Sequence, residues 1–519
     1  MKQQALYLGV DIGTTSTKAV LYNKQGEVVT MHTINYPLHT PNPLIAEQNP
    51  DEIVDAVLGT IRETIRKGNL EHGQLRLISF SSAMHSLIAV DEEGTLLTNS
   101  ITWADTRSAK YAKKIKEEHN GHDIYLRTGT PIHAMSPLAK LVWLKAEKPA
   151  IFAKAAKFIS IKEYVFFKFF GKYIIDYSIA SATGLFNLQS LDWDTEALQL
   201  ARISSQQLSE IVPTTYKLTG VKQEYQSYMG IDNDVPFIIG ASDGVLSNLG
   251  VNAIEPGVVA VTIGTSGAIR TVYNEPKTDP KGRIFCYALT ENHWVIGGPV
   301  NNGGIILRWL RDEFAAAEVE TAKRLNIDPY DVLTKIASGV NPGSDGLIFH
   351  PYMTGERAPL WNANARGSFF GLSIHHKKEH MIRSVLEGTI YNLYTVLLAL
   401  EELTGEPKRI QATGGFARSK MWRQLMADIF DKPVIVPESF ESSCLGAVVL
   451  GMYAMEEIDD FQFVSEMVGN TNTHYPDNET TAIYQELLPI FIRLSRMLNE
   501  EYESIAGFQR KYLGEEKEA

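Results

Sequence analysis

Gly9-Val10-Asp11-Ile12-Gly13-Thr14-Thr15-Ser16-Thr17-Lys18-Ala19-Val20 is the stretch on which the fold turns. The apolar residues from Leu6 to Val10 read as one strand, and Ala19-Val20-Leu21-Tyr22 as the next. Between them lies a tight turn of glycine and small hydroxyl residues. Gly13 lets the backbone turn without a Cβ, and the Thr/Ser run sets hydroxyls beside exposed backbone N–H groups. Asp11 stands at the end of the first strand and faces whatever the turn holds. Phosphates on the turn with a cation near Asp11 is one chemical reading. An ordinary hairpin with a polar loop is the other.

Recurrence decides between them. Val258-Val259-Ala260-Val261-Thr262-Ile263-Gly264-Thr265-Ser266-Gly267-Ala268-Ile269-Arg270-Thr271-Val272-Tyr273-Asn274 repeats the strand, the Ile-Gly-Thr turn and the second strand, and it ends on Tyr-Asn as Tyr22-Asn23 does. Thr262 stands where the first copy has Asp11. Two similar half-sites with one carboxylate between them point to two phosphate-holding turns and a single cation position, in a duplicated fold.

Two further stretches make the resemblance specific. Gly367-Ser368-Phe369-Phe370-Gly371-Leu372 runs on through His380 to Ser384-Val385-Leu386-Glu387. Met135-Ser136-Pro137-Leu138-Ala139-Lys140-Leu141-Val142-Trp143-Leu144 is the other, with Ala146 where a polar residue is usual. From about residue 5 to 455 the chain resembles the FGGY carbohydrate kinases, a branch of the actin/hexokinase/Hsp70 type of ATPase. The resemblance implies an α/β chain, a duplicated ribonuclease H-like ATPase with two domains around a cleft. Residues 1–249 are expected to carry the sugar site, the first phosphate turn and the catalytic Asp. Residues 250–519 are expected to carry the nucleotide site and C-terminal helices.

Composition agrees with that class. The chain has 519 residues, 44% of them hydrophobic and 21% charged, enough for two sizeable cores. A net charge of −12 argues against a nucleic-acid partner. Cys286 and Cys444 are far apart in sequence, which suits a reducing, cytoplasmic setting better than a disulfide framework. Met-Lys-Gln-Gln leads into a strand rather than a signal-peptide core, and no apolar run is long enough for a membrane span. Tyr164 to Phe170, broken by Lys168, reads as a buried helix. Gly514-Glu515-Glu516-Lys517-Glu518 reads as a solvated end.

In chain order, Asn49-Pro50-Asp51-Glu52 opens a helix with Ile53, Val57 and Ile61 at helical spacing. The strand Leu75 to Phe80 then delivers Ser81-Ser82-Ala83-Met84-His85-Ser86 at its carboxyl end, where ligands gather in open α/β sheets. Met84 and His85 match a Met-His of the sugar kinases, which implies substrate contact. Trp103-Ala104-Asp105-Thr106-Arg107 combines an aromatic face, a carboxylate and a guanidinium. The family's Trp-x-Asp-x-Arg implies that Trp103 and Asp105 line the sugar. Val235-Pro236-Phe237-Ile238-Ile239 is a strand leading to Gly240-Ala241-Ser242-Asp243-Gly244. Taken alone, Asp243-Gly244 reads as a turn; the resemblance makes Asp243 the general base, itself in contact with the substrate.

In the second half, Gly297-Gly298-Pro299-Val300-Asn301-Asn302-Gly303-Gly304 precedes the helix Ile305 to Phe314 and is expected to present free N–H groups to an anion or a base edge. Ala412-Thr413-Gly414-Gly415-Phe416-Ala417-Arg418-Ser419 follows a strand at Ile410 and opens the helix Met421 to Phe430. The resemblance places ATP on Thr14, Thr15, Ser16, Lys18, Gly264, Thr265, Gly304, Gly414, Gly415 and Ser419, with Mg²⁺ on Asp11. Gly446-Ala447 would allow close helix packing. Gly355-Glu356-Arg357-Ala358-Pro359-Leu360-Trp361 is a family-like loop whose role its residues do not disclose. His375, His376 and His380 lie on the polar lead-in to a helix, where a capping or solvated role is expected. No P-loop, dinucleotide fingerprint or HExxH is present.

The wording around Met84-His85, Trp103 to Ser108 and Thr130 to Pro137 resembles the gluconokinases within the family. This implies ATP-dependent phosphorylation of D-gluconate at its 6-hydroxyl. A sugar acid needs a cation for its carboxylate, and Arg107, His133 and Lys140 are all candidates. Xylulokinase is the alternative, since it shares Met-His; glycerol kinase fits less well, because its Arg-Glu pair is missing there. From another class, an actin- or Hsp70-like conformational ATPase or a sugar sensor would show no substrate-stimulated turnover. The partner expected is a small sugar or sugar acid, with no nucleic acid and no membrane; a homodimer is admitted but not specified.

Overall fold

The computed structural model describes residues 5–437, 441–469 and 471–513. The acidic stretch from Gly514 and the Met1–Gln4 lead-in fall outside the described residues. The chain packs as two compact units interleaved in sequence. The first holds Met1–Pro256, Val272–Ile296 and Glu441–Gly469; the second holds Gly257–Thr271, Gly297–Phe440 and Asn470–Ala519. A single division was expected at 249/250, whereas packing ends the first segment at Pro256 and assigns two later segments to the first unit.

In the first unit β1 (Leu6–Ile12), β2 (Ser16–Asn23), β3 (Val28–Asn35), β4 (Leu75–Ser82) and β5 (Phe237–Ser242) form one sheet. Its order runs from the short Lys217–Leu218 strand through β5, β4, β1 and β2 to β3. β1 is antiparallel to β2 and parallel to β4, which is parallel to β5. Side chains alternate across a strand, and both faces of β1 are covered. Leu6, Leu8, Val10 and Ile12 join Ile53, Val57 and Ile61 of α1 (Pro50–Gly68) in one core. Asn49 caps α1 by accepting from Asp51 N, as its sequence predicts.

The opposite face of β1 meets the Ser442–Ala454 helix, where Tyr7 packs with Leu445 and Val448. The approach is so close that a Cβ on Gly9 would stand 2.3 Å from the Cys444 carbonyl oxygen. α2 (Asp243–Gly250) lies against the same helix, backbone to backbone. A Cβ on Gly446 would stand 2.0 Å from Leu246 O, and one on Gly250 1.9 Å from Ser442 O. Gly446 thus serves the close packing its sequence suggests, and this contact fixes the helix whose first residue is Asp243.

The second unit repeats the pattern. β6 (Val258–Ile263) pairs antiparallel with β7 (Gly267–Tyr273), its Ile263 opposite Gly267. It pairs parallel with β8 (Arg409–Thr413), which pairs parallel with β9 (Val434–Pro437). The run β7–β6–β8–β9 therefore has the connectivity of β2–β1–β4–β5. α3 (Gly304–Phe314), α4 (Lys378–Thr404) and α5 (Lys420–Phe430) belong to this unit. His380 Nδ1 accepts from Lys377 N and caps the start of α4, whereas His376 Nδ1 accepts from Ser373 N and closes the turn before it. Glu387 of the family signature is buried in an ion pair with Arg383, 2.7 Å away, and is structural. Cys286 and Cys444 are free and buried. Among the described residues no helix is long and apolar enough to cross a membrane.

Candidate active site

Three parallel neighbours, β1, β4 and β5, end side by side, and their carboxyl ends bring together Asp11, Ser81 to His85, and Asp243. Strand register sets Ser81 beside Asp11, and its hydroxyl donates to Asp11 Oδ1 at 2.7 Å. Burial raises the Asp11 pKa above the usual carboxylate range, while the Ser81 hydrogen bond and the Lys18 charge pull it down. Lys18 is the cross-strand partner of Asp11 in the β1–β2 ladder. Its ammonium is already paired with Glu441 Oε2 at 2.6 Å. Burial works against that charge, but Glu441 chiefly, together with Cys444 and Asp11, more than offsets it and leaves the Lys18 pKa raised. Lys18 is therefore held at the rim of the site by a residue more than four hundred positions away, which no local pattern announces.

The first turn is clamped from three sides. Gly13 N donates to Ser16 O at 2.9 Å, the Tyr36 hydroxyl donates to Gly13 O, and Gln48 Nε2 donates to Thr14 O. Trp103 Nε1 donates to the Thr14 hydroxyl at 2.9 Å. The aromatic residue expected at the sugar and the turn expected at the phosphates are thus one assembly. Thr15 at the tip is exposed, with Ser16 and Thr14 half-buried. Tyr36, Gln48 and Glu441 were not singled out from the sequence.

His85 adopts φ +68, a left-handed conformation that a residue with a Cβ holds only under constraint. The constraint is visible. Its Nδ1 lies 2.7 Å from Ala182 O, and its carbonyl accepts from Lys140 Nζ at 2.6 Å. Met84 packs on the apolar cluster below. Lys140 also donates to Ile101 O and Thr102 O, so its three N–H bonds are spent on backbone. Burial pushes its pKa down to about 7. It ties the His85 turn to the Trp103 loop and drops out as a partner for a substrate carboxylate. Asp105, 1% exposed, accepts from Ala46 N and from Arg107. Arg107 is gripped by Asp105 and Glu47 and lies 4.5 Å over the Trp143 ring. His133 remains half-buried, its Nδ1 accepting from Met135 N.

Asp243 is the first residue of α2 and half-buried, with Gly244 N donating to its Oδ1 at 2.6 Å. Asp243 opens a helix directly after its strand, in place of the plain Asp-Gly turn that its dipeptide also allowed.

In the second unit Gly264, Thr265, Gly304, Gly415 and Ser419 line one cavity of about 280 Å³, walled by Leu307, Tyr330, Phe416 and Trp422. A Cβ on Gly264 or Gly415 would meet nothing within 4 Å, so these glycines leave room in the cavity. Gly414 stands behind it, at φ +98, where a Cβ would lie 2.4 Å from Ile263 O. Ser419 caps α5, accepting from Trp422 N. Gly304 differs from expectation. Its N–H donates to Gly264 O at 2.7 Å and Ile305 N donates to Thr265 O, so the first N–H groups of α3 hold the second turn rather than standing free. A Cβ there would lie 2.6 Å from Gly264 O, and the glycine is needed for that approach. Tyr330 and Trp422 were missed, because isolated Tyr and Trp carry no spacing signal.

Family models for the FGGY carbohydrate kinases match most of the chain, the N-terminal domain at residues 6–250 and the C-terminal domain at 259–455. A gluconokinase of Bacillus subtilis (strain 168) is 62% identical over 506 residues, covering 97% of this chain and 98% of that protein. A gluconate kinase structure from Lactobacillus acidophilus superposes with TM-score 0.91 at 40% identity, covering 97% of this chain and all of the other. A ligand-bound xylulose kinase structure from the same organism has TM-score 0.91 and 40% identity over 96% of this chain and all of the other.

Proposed function

Because the chain belongs to the FGGY family of carbohydrate kinases, we propose that it transfers the terminal phosphoryl group of ATP to D-gluconate, giving 6-phospho-D-gluconate and ADP. The observation that carries this reading is 62% identity to a gluconokinase along 97% of the chain.

Phosphoryl transfer is mainly positioning and charge stabilisation. In this reading Met84, His85, Trp103 and Asp105 shape the sugar site, with Arg107 and His133 on the side of the acid group. Asp243 takes the proton of the attacking hydroxyl. A carboxylate with an ordinary pKa of about 3.9 is a weak base, so it orients the hydroxyl first and accepts its proton late. The Thr14-Thr15-Ser16 turn, with Lys18, and the Gly264-Thr265 turn hold phosphates; Gly304, Gly414, Gly415 and Ser419 frame the nucleoside cavity. Exclusion of water from the reacting oxygen keeps the sugar as acceptor.

The donor set suits Mg²⁺. Asp11 is a carboxylate at the strand end beside the first turn, and Mg²⁺ characteristically takes one or two carboxylates together with substrate phosphates and water. When bound, the ion neutralises charge on the transferring phosphate, and Asp11 is the residue that holds it. A reducing, cytoplasmic setting suits the two buried free thiols. Functionally, 1–249 is assigned to the sugar site, the first phosphate turn and the base, and 250–519 to the nucleotide site and the C-terminal helices.

Purified protein with Mg-ATP is assayed for ADP release on gluconate, xylulose and glycerol. Turnover on gluconate well above the others is expected. Preference for xylulose would instead favour the second reading, which the xylulose kinase structure at 40% identity supports. ATP turnover that no sugar stimulates would point to a conformational ATPase.

A further inference from the structure

The end of β5 is irregular just where it must deliver Asp243. The β4–β5 register shifts between Ile238 and Ala241, and Gly240 adopts φ +70 with its Cβ position 1.7 Å from Phe80 O. The ladder resumes beyond the bulge, with Ala241 opposite Ser81 and Ser242 opposite Ser82, so these last residues follow an irregular stretch. Side chains brace that stretch from outside the ladder. Lys162, on the Ile161–Phe170 helix and 2% exposed, donates from Nζ to Ile239 O and Ala241 O, each at 3.1 Å. The same ammonium lies 2.7 Å from Asp176 Oδ2. Asp176, 1% exposed, accepts from Ser178 N and Ile179 N through its other oxygen. Ser178 Oγ accepts from Ser242 N at 3.1 Å and donates to Ser242 Oγ at 3.0 Å. Two routes from one buried ion pair therefore end on Ala241 and Ser242, the two residues before Asp243.

We infer that Lys162, Asp176 and Ser178 form a positioning device that sets the direction of the Asp243 carboxylate, an inference that rests on Asp243 being the general base. None of the three is required to touch substrate. A buried ion pair is a poor choice for stability alone, because apolar residues of similar volume commonly serve as well or better. Its place at an irregular strand end, with donors on the carbonyls that lead to the base, is what a positioning role explains. Burial lowers the Lys162 pKa, and the Asp176 carboxylate is the chief influence opposing that.

The test uses the full chain in three forms. Lys162→Met alone strands the Asp176 carboxylate in the interior, so the first form is the double variant Lys162→Met/Asp176→Asn. It removes both charges and keeps a capping oxygen. The second is Ser178→Ala, a small change that cuts only the Ser242 bridge. The third, Asp243→Asn, is the reference. The double variant is expected to keep the wild-type melting temperature and the KM for ATP and gluconate, while kcat falls about a hundredfold. Ser178→Ala is expected to lose about tenfold in kcat with both KM values unchanged. A folded double variant with wild-type kcat overturns the inference; if the double variant does not fold, wild-type kcat in Ser178→Ala overturns it. Either result with an inactive Asp243→Asn leaves the base assignment standing. An active Asp243→Asn removes that assignment, and the inference with it.

Discussion

The turn between β1 and β2 and the turn between β6 and β7 have the same connectivity. Each leading glycine N–H closes its turn at 2.9 Å, Gly13 on Ser16 O and Gly264 on Ser266 O, and each first strand has an antiparallel partner on one side and a parallel one on the other. Around that shared backbone the two regions diverge. The first is built from side chains that hold one another: Asp11 with Ser81, Lys18 with Glu441, Thr14 with Trp103. The second is built from missing side chains, with Gly264 and Gly415 leaving open space in a cavity walled by Leu307, Tyr330, Phe416 and Trp422. Where Asp11 stands in one, Thr262 stands in the other, with a hydroxyl that has no hydrogen-bond partner among the described residues. The scaffold thus occurs twice, and the strand-end carboxylate stands in only one copy, since the charged residues of the second cavity, Arg308, Asp328, Asp331 and Arg418, come from other elements.

That contrast can be broken most sharply at Asp11. Asp11→Asn keeps size and the Ser81 contact but removes the charge, and kcat is expected to fall about a thousandfold. Thr262→Val at the equivalent position should leave turnover within about twofold, since it deletes a hydroxyl that is not paired. Steady-state kinetics on both variants would undo the comparison if the losses were alike.

Packing gives the next largest effect. Gly9 corresponds to Ala260 in the repeat, yet a Cβ at Gly9 would collide with the Cys444 carbonyl. Gly9→Ala is expected to cost about 3 kcal/mol in denaturant unfolding, because the obstacle is backbone and cannot rotate away. A neutral Gly9→Ala would mean that the Ser442–Ala454 helix stands further from β1.

Open space in the second region predicts an effect on one substrate only. Gly415→Val should raise the KM for ATP about tenfold, roughly 1.4 kcal/mol of binding, with the gluconate KM and the melting temperature unchanged. An equal rise in both KM values would take the cavity out of nucleotide binding.

Buried charge beside the His85 turn predicts a pH dependence of stability. Lys140 has its pKa lowered by burial to about 7. Unfolded lysine titrates near 10.4, so between about pH 7 and 10 the unfolded state holds one proton more and stability rises with pH. Below pH 7 both states are protonated and the cost of burying the charge is present in full. Relative to Lys140→Met, the wild type should gain up to about 1.4 kcal/mol per pH unit across that window. Parallel pH profiles for the two proteins would show that Lys140 stays protonated in the fold.

Much of this was legible because it is local. Asp11, the Thr14-Thr15-Ser16 turn and its repeat at Gly264 announce themselves by residue type and spacing within a few positions, whereas Asp243 and Gly415 were singled out by the family resemblance. What escaped is non-local. Glu441 reaches Lys18 from the far end of the chain, and Lys140 spends its donors on carbonyls that only the fold brings near. Gly304 illustrates a subtler limit. A glycine at a helix start reads as a ready anion site, yet the N–H groups there are used to hold the neighbouring turn, and sequence does not say which acceptor comes first. The interleaving of the units had the same origin, since the helix covering β1 is one of the last in the chain.

The most direct measurement of the central claim, that the first region supplies the chemistry and the second the nucleotide's place, is gluconate phosphorylation by Asp243→Asn alongside calorimetric ATP binding. The account predicts ATP affinity within about twofold of wild type, with transfer reduced about a thousandfold or more. Turnover comparable to wild type, or loss of ATP binding together with turnover, would contradict it.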